Sequence, residues 1–230
     1  MDCFNIYPEY RGKCQDCGSG SVRGSESALP SGTLLAGRYA LKGVLSAGSA
    51  SYNYIADDSV LGTKAVIREY FPLKGAARTS AGIVSENREL FEAGCRIFAA
   101  RTSACAHINE SALYDVFRES GTVYSVRRYI DGITLKELIS SGTCDKKLKN
   151  SIMRQIVTYI TALHSRGCTH GAICPENIIV NSDGSVVITD AAAPVITGGK
   201  LGYAGMSGYR PHKTDRTAGI SVSDDVYSVA

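Results

Sequence analysis

The sequence predicts an α+β fold in which a strand-rich part precedes a helix-rich part. Three observations lead to this prediction. Between Gly37 and Ile130 most segments alternate apolar and polar residues or form short runs of β-branched and aromatic residues. Beyond Thr134 the apolar residues recur at helical spacing. The composition, 44% hydrophobic and 20% charged, is typical of a globular protein with a sizeable core.

The strand-rich part begins with a hairpin. Gly37–Asp58 alternates apolar and polar residues on both sides of a turn made of small residues, which predicts two paired strands. The elements predicted after this hairpin are a third strand over 63–71, a helix over 86–105, and two strands over 112–117 and 122–130. In the helix, Leu90, Phe91, Cys95 and Phe98 recur at helical spacing.

The helix-rich part is predicted to contain two helices and a short hairpin. The helices cover 134–141 and 146–167, and the second is long, amphipathic and ends at a glycine. Two short strands, 177–180 and 185–189, flank an Asp-Gly turn.

The first 18 residues form a cysteine knuckle that resembles part of a zinc ribbon. Cys14 and Cys17 have the spacing with which two thiolates can hold one zinc ion, and Cys3 stands nearby. A structural zinc site needs four ligands and this segment offers three cysteines. The segment is truncated upstream, or the site is degenerate, or zinc is not bound, and we expect poor zinc binding. Residues 19–33 are rich in glycine and serine and are predicted to be a linker.

Charge and hydropathy exclude two classes of partner. The net charge of +3 comes from scattered basic residues, which does not predict nucleic-acid binding. No apolar run reaches the roughly 18 residues of a membrane helix, and the start lacks the pattern of a signal peptide. We therefore expect a cytoplasmic protein whose remaining cysteines are reduced.

The stretch "THGAICPENIIVNSDGSVVITD" is arranged like a catalytic loop. His170 is followed by Asn177 seven residues later and by Asp190 thirteen residues after that. Where a base or nucleophile would stand there are Ala172 and Cys174. A thiol at Cys174 would need a nearby base and a lowered pKa, so we expect it to be inert.

Several motifs in the same order resemble the protein kinases, in particular the bacterial, eukaryotic-like Ser/Thr kinases. These motifs are "VLSAGSASYNYIA", "AVIREYFP", "NRELF", the loop quoted above, and "SDDVYSVA". The resemblance implies a two-lobed fold, with an N-terminal lobe over 34–130 containing a five-stranded antiparallel sheet and one helix. It implies a mostly helical C-terminal lobe over 131–230. This lobe is expected to be incomplete because the chain stops five residues after Asp225, which makes the chain a fragment or a remnant.

The resemblance also implies where ATP would bind. Of the glycines in the phosphate-binding loop only Gly48 remains, and Arg68 stands where the kinases have a lysine. An ordinary hairpin turn is the alternative reading of the loop. The lysine's glutamate partner falls near Ala99, and no acidic residue occurs between Glu92 and Glu110.

Two positions keep the residue types that hold magnesium in kinases. Asn177 and Asp190 match the two protein ligands for Mg²⁺, although a loop cap and a turn residue are the alternative readings. Asp190 is followed by Ala191 and Ala192 instead of Phe and Gly, so we expect a segment without a packing anchor. A phosphate-binding loop with one glycine, no lysine–glutamate pair and two oxygen ligands for a metal together predict weak, Mg²⁺-dependent ATP binding or none.

The resemblance places Ala172 at the catalytic base, so no catalytic residue is expected. We therefore predict a pseudokinase, a kinase-like domain with a regulatory or scaffolding role toward an unknown protein partner. An active Ser/Thr kinase with an atypical site and a non-functional remnant are the two alternatives.

Overall fold

The computed structural model describes residues 27–106, 108, 113–203, 208–209 and 219–229. The chain divides into two compact units. The first comprises 1–99, 113–129 and 194–201, and the second comprises 100–112, 130–193 and 202–230. The predicted cysteine knuckle, with Cys3, Cys14 and Cys17, lies outside the described residues.

A six-stranded antiparallel sheet forms the first unit, in the order β1-β2-β3-β4-β8-β7. Its strands are β1 Leu34–Leu35, β2 Tyr39–Ala47, β3 Ser51–Asp58, β4 Thr63–Tyr70, β7 Leu113–Glu119 and β8 Thr122–Arg128. Five of these strands confirm the predicted ones. The sixth, β1, is only two residues long and pairs with the start of β2, so it is too short to show an alternating pattern.

Helix α1, Arg88–Ala106, confirms the helix predicted between the third and fourth strands. Within the first unit it packs through an aromatic cluster at the end of β4, where the Tyr70 ring lies 5.5 Å from Phe91 and 5.6 Å from Phe98. Gly94 permits this approach, because a Cβ atom there would lie 2.1 Å from the Tyr70 hydroxyl.

A second hairpin, β5 Ala76–Thr79 with β6 Gly82–Ser85, was not predicted. It is fastened to the rest of the first unit by tertiary contacts. The Ile83 N–H donates to the Ser120 carbonyl at 3.0 Å, and a Cβ at Gly82 would lie 2.7 Å from that same oxygen. The Arg78 guanidinium donates to both carboxylate oxygens of Glu69 at 2.7 and 2.8 Å.

Glu69 is fully buried and all its described partners are donors. Besides Arg78, the hydroxyls of Tyr54 and Tyr124 donate to it at 2.7 and 2.9 Å. A buried carboxylate is tolerated when donors replace the water that it loses. The same network holds the segment before β1, because Arg78 Nε donates to the Ser27 carbonyl at 2.7 Å.

The chain after β8 contains short strands and three helices among the described residues. They are β9 Gly132–Thr134, α2 Leu135–Ser140, α3 Lys146–His164, a 3₁₀ turn Pro175–Asn177, β10 Ile178–Asn181, β11 Val186–Ile188, β12 Pro194–Thr197, β13 Lys200–Tyr203 and α4 Val222–Tyr227. Helices α2 and α3 and strands β10 and β11 confirm the predicted elements, which establishes the α+β class.

Local signals explain where these helices begin. Thr134 and Glu137 form a capping box at the start of α2, and the Asp145 side chain accepts from the Leu148 N–H at the start of α3. The apolar stripe of α3 then enters the core of the second unit. Its buried residues are Ile152, Ile156, Tyr159, Ile160 and Leu163.

Strands β9, β10 and β11 form a three-stranded sheet in the second unit, with β10 in the centre. The short β9 was not predicted, and Gly132 allows it to lie against β10, since a Cβ there would be 2.7 Å from the Val180 carbonyl oxygen. Across the described ranges, no helix is long and apolar enough to cross a membrane.

Candidate functional site

The candidate residues fall into two groups, one in each unit. In the first unit, Gly48 lies in the turn between β2 and β3, and the predicted hairpin is confirmed. The Gly48 N–H donates to the Ser51 carbonyl at 2.8 Å. This donor therefore closes the turn of the hairpin, in contrast to the loop glycines whose N–H groups point at phosphate oxygens.

The tip of this hairpin is fastened to the chain that follows β4. The N–H groups of Phe71 and Leu73 donate to the carbonyls of Ala50 and Ser49 at 2.9 and 3.0 Å. Ala50 is buried as well. The turn is therefore an anchored part of the first unit.

Arg68 lies on β4 between Asn53 on β3 and Ser125 on β8. Its side chain is buried, with Nε donating to the Ser51 hydroxyl at 3.2 Å. The guanidinium lies 5.2 Å from the centre of the Phe98 ring of α1, within the range of a cation–π interaction. Phe98, the neighbour of the expected Ala99, is thus a helix residue that faces Arg68.

The nearest acidic side chain that precedes Phe98 on α1 is engaged elsewhere. Glu92 forms ion pairs with Arg88 and Arg118, and hydrogen bonding to Arg118 lowers its pKa. The part of α1 that follows Glu92 contains no acidic residue, so the helix offers no carboxylate beside Phe98.

In the second unit, the backbone of the catalytic-like loop is held by Asp225 at the start of α4. The carboxylate of Asp225 is fully buried and accepts from the N–H groups of His170 and Gly171 at 2.7 and 2.6 Å. His164 Nε2 lies 3.0 Å from the same carboxylate. Gly171 has a φ of 70°, and a Cβ there would lie 2.2 Å from the Ile220 side chain. The loop is therefore well formed, and its second residue has no room for a side chain.

Asn177 closes the far end of the loop. Its side-chain amide donates to the Ala172 carbonyl at 2.8 Å, and its own carbonyl accepts from the Thr189 N–H at 2.8 Å. The second bond continues the pairing of β10 with β11 and brings Asn177 beside the residue that precedes Asp190. The structure therefore brings the two candidate magnesium ligands near each other.

Asp190 has a φ of 62°, which is unusual for a residue other than glycine and marks a constrained position. The three alanines that follow it are all buried. The Ala192 N–H donates to the His170 carbonyl at 2.9 Å. The expectation that Asp190 stands on a segment without a large packing anchor stays a prediction, and the contacts seen there are small buried side chains and a backbone bond.

Arg101, near the end of α1, is a site residue that the sequence did not reveal. Its Nε donates to the Ala192 carbonyl at 3.1 Å, and its Nη2 donates to the carbonyls of Thr169 and His170 at 2.8 and 2.9 Å. The guanidinium also lies 5.2 Å from the ring centre of Tyr203. Nothing in the local pattern distinguishes this arginine from one on a solvated helix face.

Cys174 has the properties of a core residue. Its side chain is almost completely buried, and burial raises the pKa of the thiol to about 12. The thiol therefore stays protonated at neutral pH, as expected for an inert cysteine. Among the described residues, no cluster of three or more His, Cys, Asp or Glu side chains could hold a metal ion. Asn177 and Asp190 could supply two oxygen ligands to Mg²⁺, and the other ligands would come from a nucleotide and water.

Comparison with known proteins shows the family to which the chain with this loop belongs. The family model of the protein kinase domain matches residues 97–230, more than half of the chain. This chain belongs to the protein kinase domain family. The predicted resemblance is therefore confirmed, and it extends to bacterial Ser/Thr kinases.

Three curated relatives illustrate the match. The chain is 30% identical over 164 residues to the serine/threonine-protein kinase PrkC of Bacillus subtilis, covering 69% of this chain and 23% of that protein. It is 25% identical to CBL-interacting protein kinase 29 of Oryza sativa, covering 90% and 49%. It is 27% identical to the serine/threonine-protein kinase PknG of Mycobacterium leprae, covering 95% and 28%. The chain thus spans less than half the length of these relatives.

Solved structures share the fold. The apo form of PpkA-294 matches with a TM-score of 0.63 at 23% identity, covering 71% of this chain and 61% of that one. The PknI kinase domain of Mycobacterium tuberculosis matches with a TM-score of 0.57 at 16% identity, covering 88% and 72%. These likenesses establish the kinase-like fold.

Proposed function

We propose that this chain is a pseudokinase, a protein-kinase-like domain that does not transfer phosphate and binds ATP weakly or not at all. Its role would be regulatory or scaffolding, through a protein partner that the sequence does not name. The cytoplasmic location expected from the sequence is part of the same proposal.

The observation that supports this proposal most directly is that the loop after His170 is well formed but carries no acidic side chain at the position of the catalytic base. Asp225 holds the start of the loop and Asn177 closes its end, so the backbone has the order needed for chemistry. The residue between them at the base position is Ala172. A methyl group can neither accept the proton of a substrate hydroxyl nor orient that hydroxyl, and such help is typically worth about 10²–10⁴ in rate.

The first unit supports weak nucleotide binding independently. The Gly48 N–H closes its own turn, and Arg68 is directed onto Ser51 and Phe98. To contact a phosphate, the guanidinium would have to leave contacts that it already makes. Binding would therefore cost the energy of those contacts, which reduces the affinity gained from the arginine charge.

An active kinase with an unusual site is the second candidate, and one observation favours it. Asn177 and Asp190 retain the residue types of magnesium ligands and stand on neighbouring chain segments. The relatives described above are named as kinases. In this alternative Arg68 would contact the phosphates, and the Mg²⁺-bound nucleotide would stabilise the folded chain strongly.

Thermal unfolding with nucleotide separates the two candidates. A ligand at a concentration equal to its Kd stabilises the folded state by about 0.4 kcal/mol, and at a hundred times Kd by about 2.7 kcal/mol. For a chain of this size these values correspond to roughly 1–2 °C and 5–11 °C in Tm. We expect 1 mM ATP with Mg²⁺ to raise Tm by no more than about 2 °C.

Two control experiments make this measurement specific. Mg²⁺ alone and ATP in EDTA test whether the metal carries any shift, and Asp190→Ala should remove a metal-dependent shift. A rise in Tm above about 5 °C that needs Mg²⁺ and vanishes in Asp190→Ala would contradict weak binding and favour the active-kinase alternative.

A further inference from the structure

The segment after Asp190 is built from residues that offer little for packing. Ala191, Ala192 and Ala193 are all buried, but each contributes only a methyl group to the surrounding core. Dispersion contacts grow with the number of atoms in contact, so three methyl groups hold a chain segment weakly. Contacts of the backbone therefore add to the constraint on this segment.

The backbone of Asp190 is a second sign of constraint on this segment. Its φ of 62° lies in the left-handed region, which residues other than glycine adopt at an energetic cost. A conformation of this kind persists only when the surrounding structure enforces it. The neighbouring bond from the Ala192 N–H to the His170 carbonyl is one such contact, and it joins the segment to the catalytic-like loop.

Arg101 binds both of these chain segments at once. Through Nε it donates to the carbonyl of Ala192, and through Nη2 it donates to the adjacent carbonyls of Thr169 and His170. A guanidinium is planar, carries five N–H donors in a fixed fork and remains charged at all relevant pH values. It can therefore bridge carbonyls on two segments in a single geometry, which an ammonium group on a flexible stem cannot reproduce.

We propose that Arg101 is a positioning residue that locks the loop around His170 and the segment after Asp190 into one arrangement. In this arrangement Asp190 and Asn177 keep their relative position without a nucleotide or a modification. These hydrogen bonds of Arg101 do not depend on whether the chain transfers phosphate, so this inference goes beyond the proposed function. It would give a partner protein a surface that does not change with ligand.

Hydrogen exchange of the full chain without nucleotide tests this lock. The reporter is the Ala192 amide, which donates to the His170 carbonyl, and the internal reference is the Thr189 amide, which donates to the Asn177 carbonyl. The variants are Arg101→Leu, Arg101→Lys and, as a matched control, Arg96→Leu at an exposed arginine of the same helix.

We expect Arg101→Leu to speed exchange at Ala192 about tenfold or more while Thr189 changes less than about twofold. Arg101→Lys should give an intermediate increase, and Arg96→Leu should leave both amides unchanged. Local loosening of this kind differs from a general loss of stability, which would speed exchange at both amides together.

Two results would overturn the proposal. One is unchanged exchange at Ala192 in a folded Arg101→Leu or Arg101→Lys protein. The other is an equal increase at Ala192 and Thr189, which would make Arg101 an ordinary stabilising residue. If Arg101→Leu does not fold, the milder Arg101→Lys variant decides the question by the same comparison.

Discussion

Replacing Gly94 by alanine tests how closely α1 packs on the sheet of the first unit. On an exposed helix this change is favourable by about 1 kcal/mol, because alanine is the better helix former. Here the new Cβ would lie 2.1 Å from the Tyr70 hydroxyl oxygen, 2.7 Å from Cζ and 3.0 Å from Cε1. Ordinary van der Waals contact begins near 3.4 Å, so the ring or the helix must move by about an ångström.

The Tyr70 ring cannot move cheaply. It is fully buried and lies between Phe91 and Phe98, with ring centres 5.5 and 5.6 Å away. Overpacking of a well-packed core costs about 1–3 kcal/mol, and a contact this short should reach the upper end. After the gain in helix propensity is subtracted, we expect Gly94→Ala to lower the free energy of unfolding by about 2 kcal/mol.

Urea denaturation followed by circular dichroism measures this change, and Tm should fall by roughly 4–8 °C. Gly219→Ala is the matched control, because a Cβ at Gly219 meets nothing within 4 Å. It should change stability by less than about 0.5 kcal/mol. Tyr70→Phe removes the nearest atom but leaves the ring, so it should rescue Gly94→Ala only in part. A Gly94→Ala protein as stable as the parent would refute the packing described for α1.

Three further predictions concern the two units. Hydrogen bonding to Arg38 lowers the pKa of Asp58 from 3.8 to about 2, so its stabilisation is present above about pH 4 and lost toward pH 2. The stability difference between the parent chain and Arg38→Met should therefore shrink over that range in acid denaturation. Gly171→Ala should destabilise the chain by about 2–4 kcal/mol through its left-handed φ and its clash with Ile220, which Ile220→Ala should partly relieve in the same assay. Cys174, with a pKa raised to about 12, should resist iodoacetamide at neutral pH until the chain unfolds, while the partly exposed cysteines react, as mass spectrometry would show.

Periodicity and local capping explain why most of the fold could be predicted. The apolar stripe of α3 and the alternation in β2 and β3 are long enough to give a clear period, and their predicted positions are confirmed. Helix α2 is short, but the capping box between Thr134 and Glu137 marks its start in the sequence.

The elements that the sequence did not reveal depend on distant contacts. The strands of the β5–β6 hairpin have only four residues each, most of them small, so their own pattern resembles a loop. It is ordered by Glu69, which binds Arg78, and by Ser120, whose carbonyl accepts from the Ile83 N–H. Strand β9 likewise exists because Gly132 can lie against β10. Tertiary contacts of this kind leave no trace in a local window.

The candidate site likewise contains residues that a local pattern predicts and a residue that acts through distant contacts. Ala172, Asn177 and Asp190 were identified because their spacing follows a loop pattern, whereas Arg101 acts on backbone carbonyls far away in the sequence. Carbonyl acceptors carry no sequence signal, since every residue has one. The bond from the Ala192 N–H to the His170 carbonyl could not be predicted for the same reason, because both of its groups belong to the backbone.

Phosphoryl transfer from radiolabelled ATP tests the pseudokinase proposal most directly. The purified chain is assayed for autophosphorylation and for transfer to a generic Ser/Thr substrate, beside Asp190→Ala as the control and Ala172→Asp as the restored variant. We predict no incorporation above the control for the parent chain. We also predict none for Ala172→Asp, because groups that act on one transition state are strongly non-additive, and Arg68 would still stand in place of the kinase lysine without a glutamate near Ala99 on α1. Incorporation by the parent chain that disappears in Asp190→Ala would contradict the proposal and establish an active kinase with an atypical site.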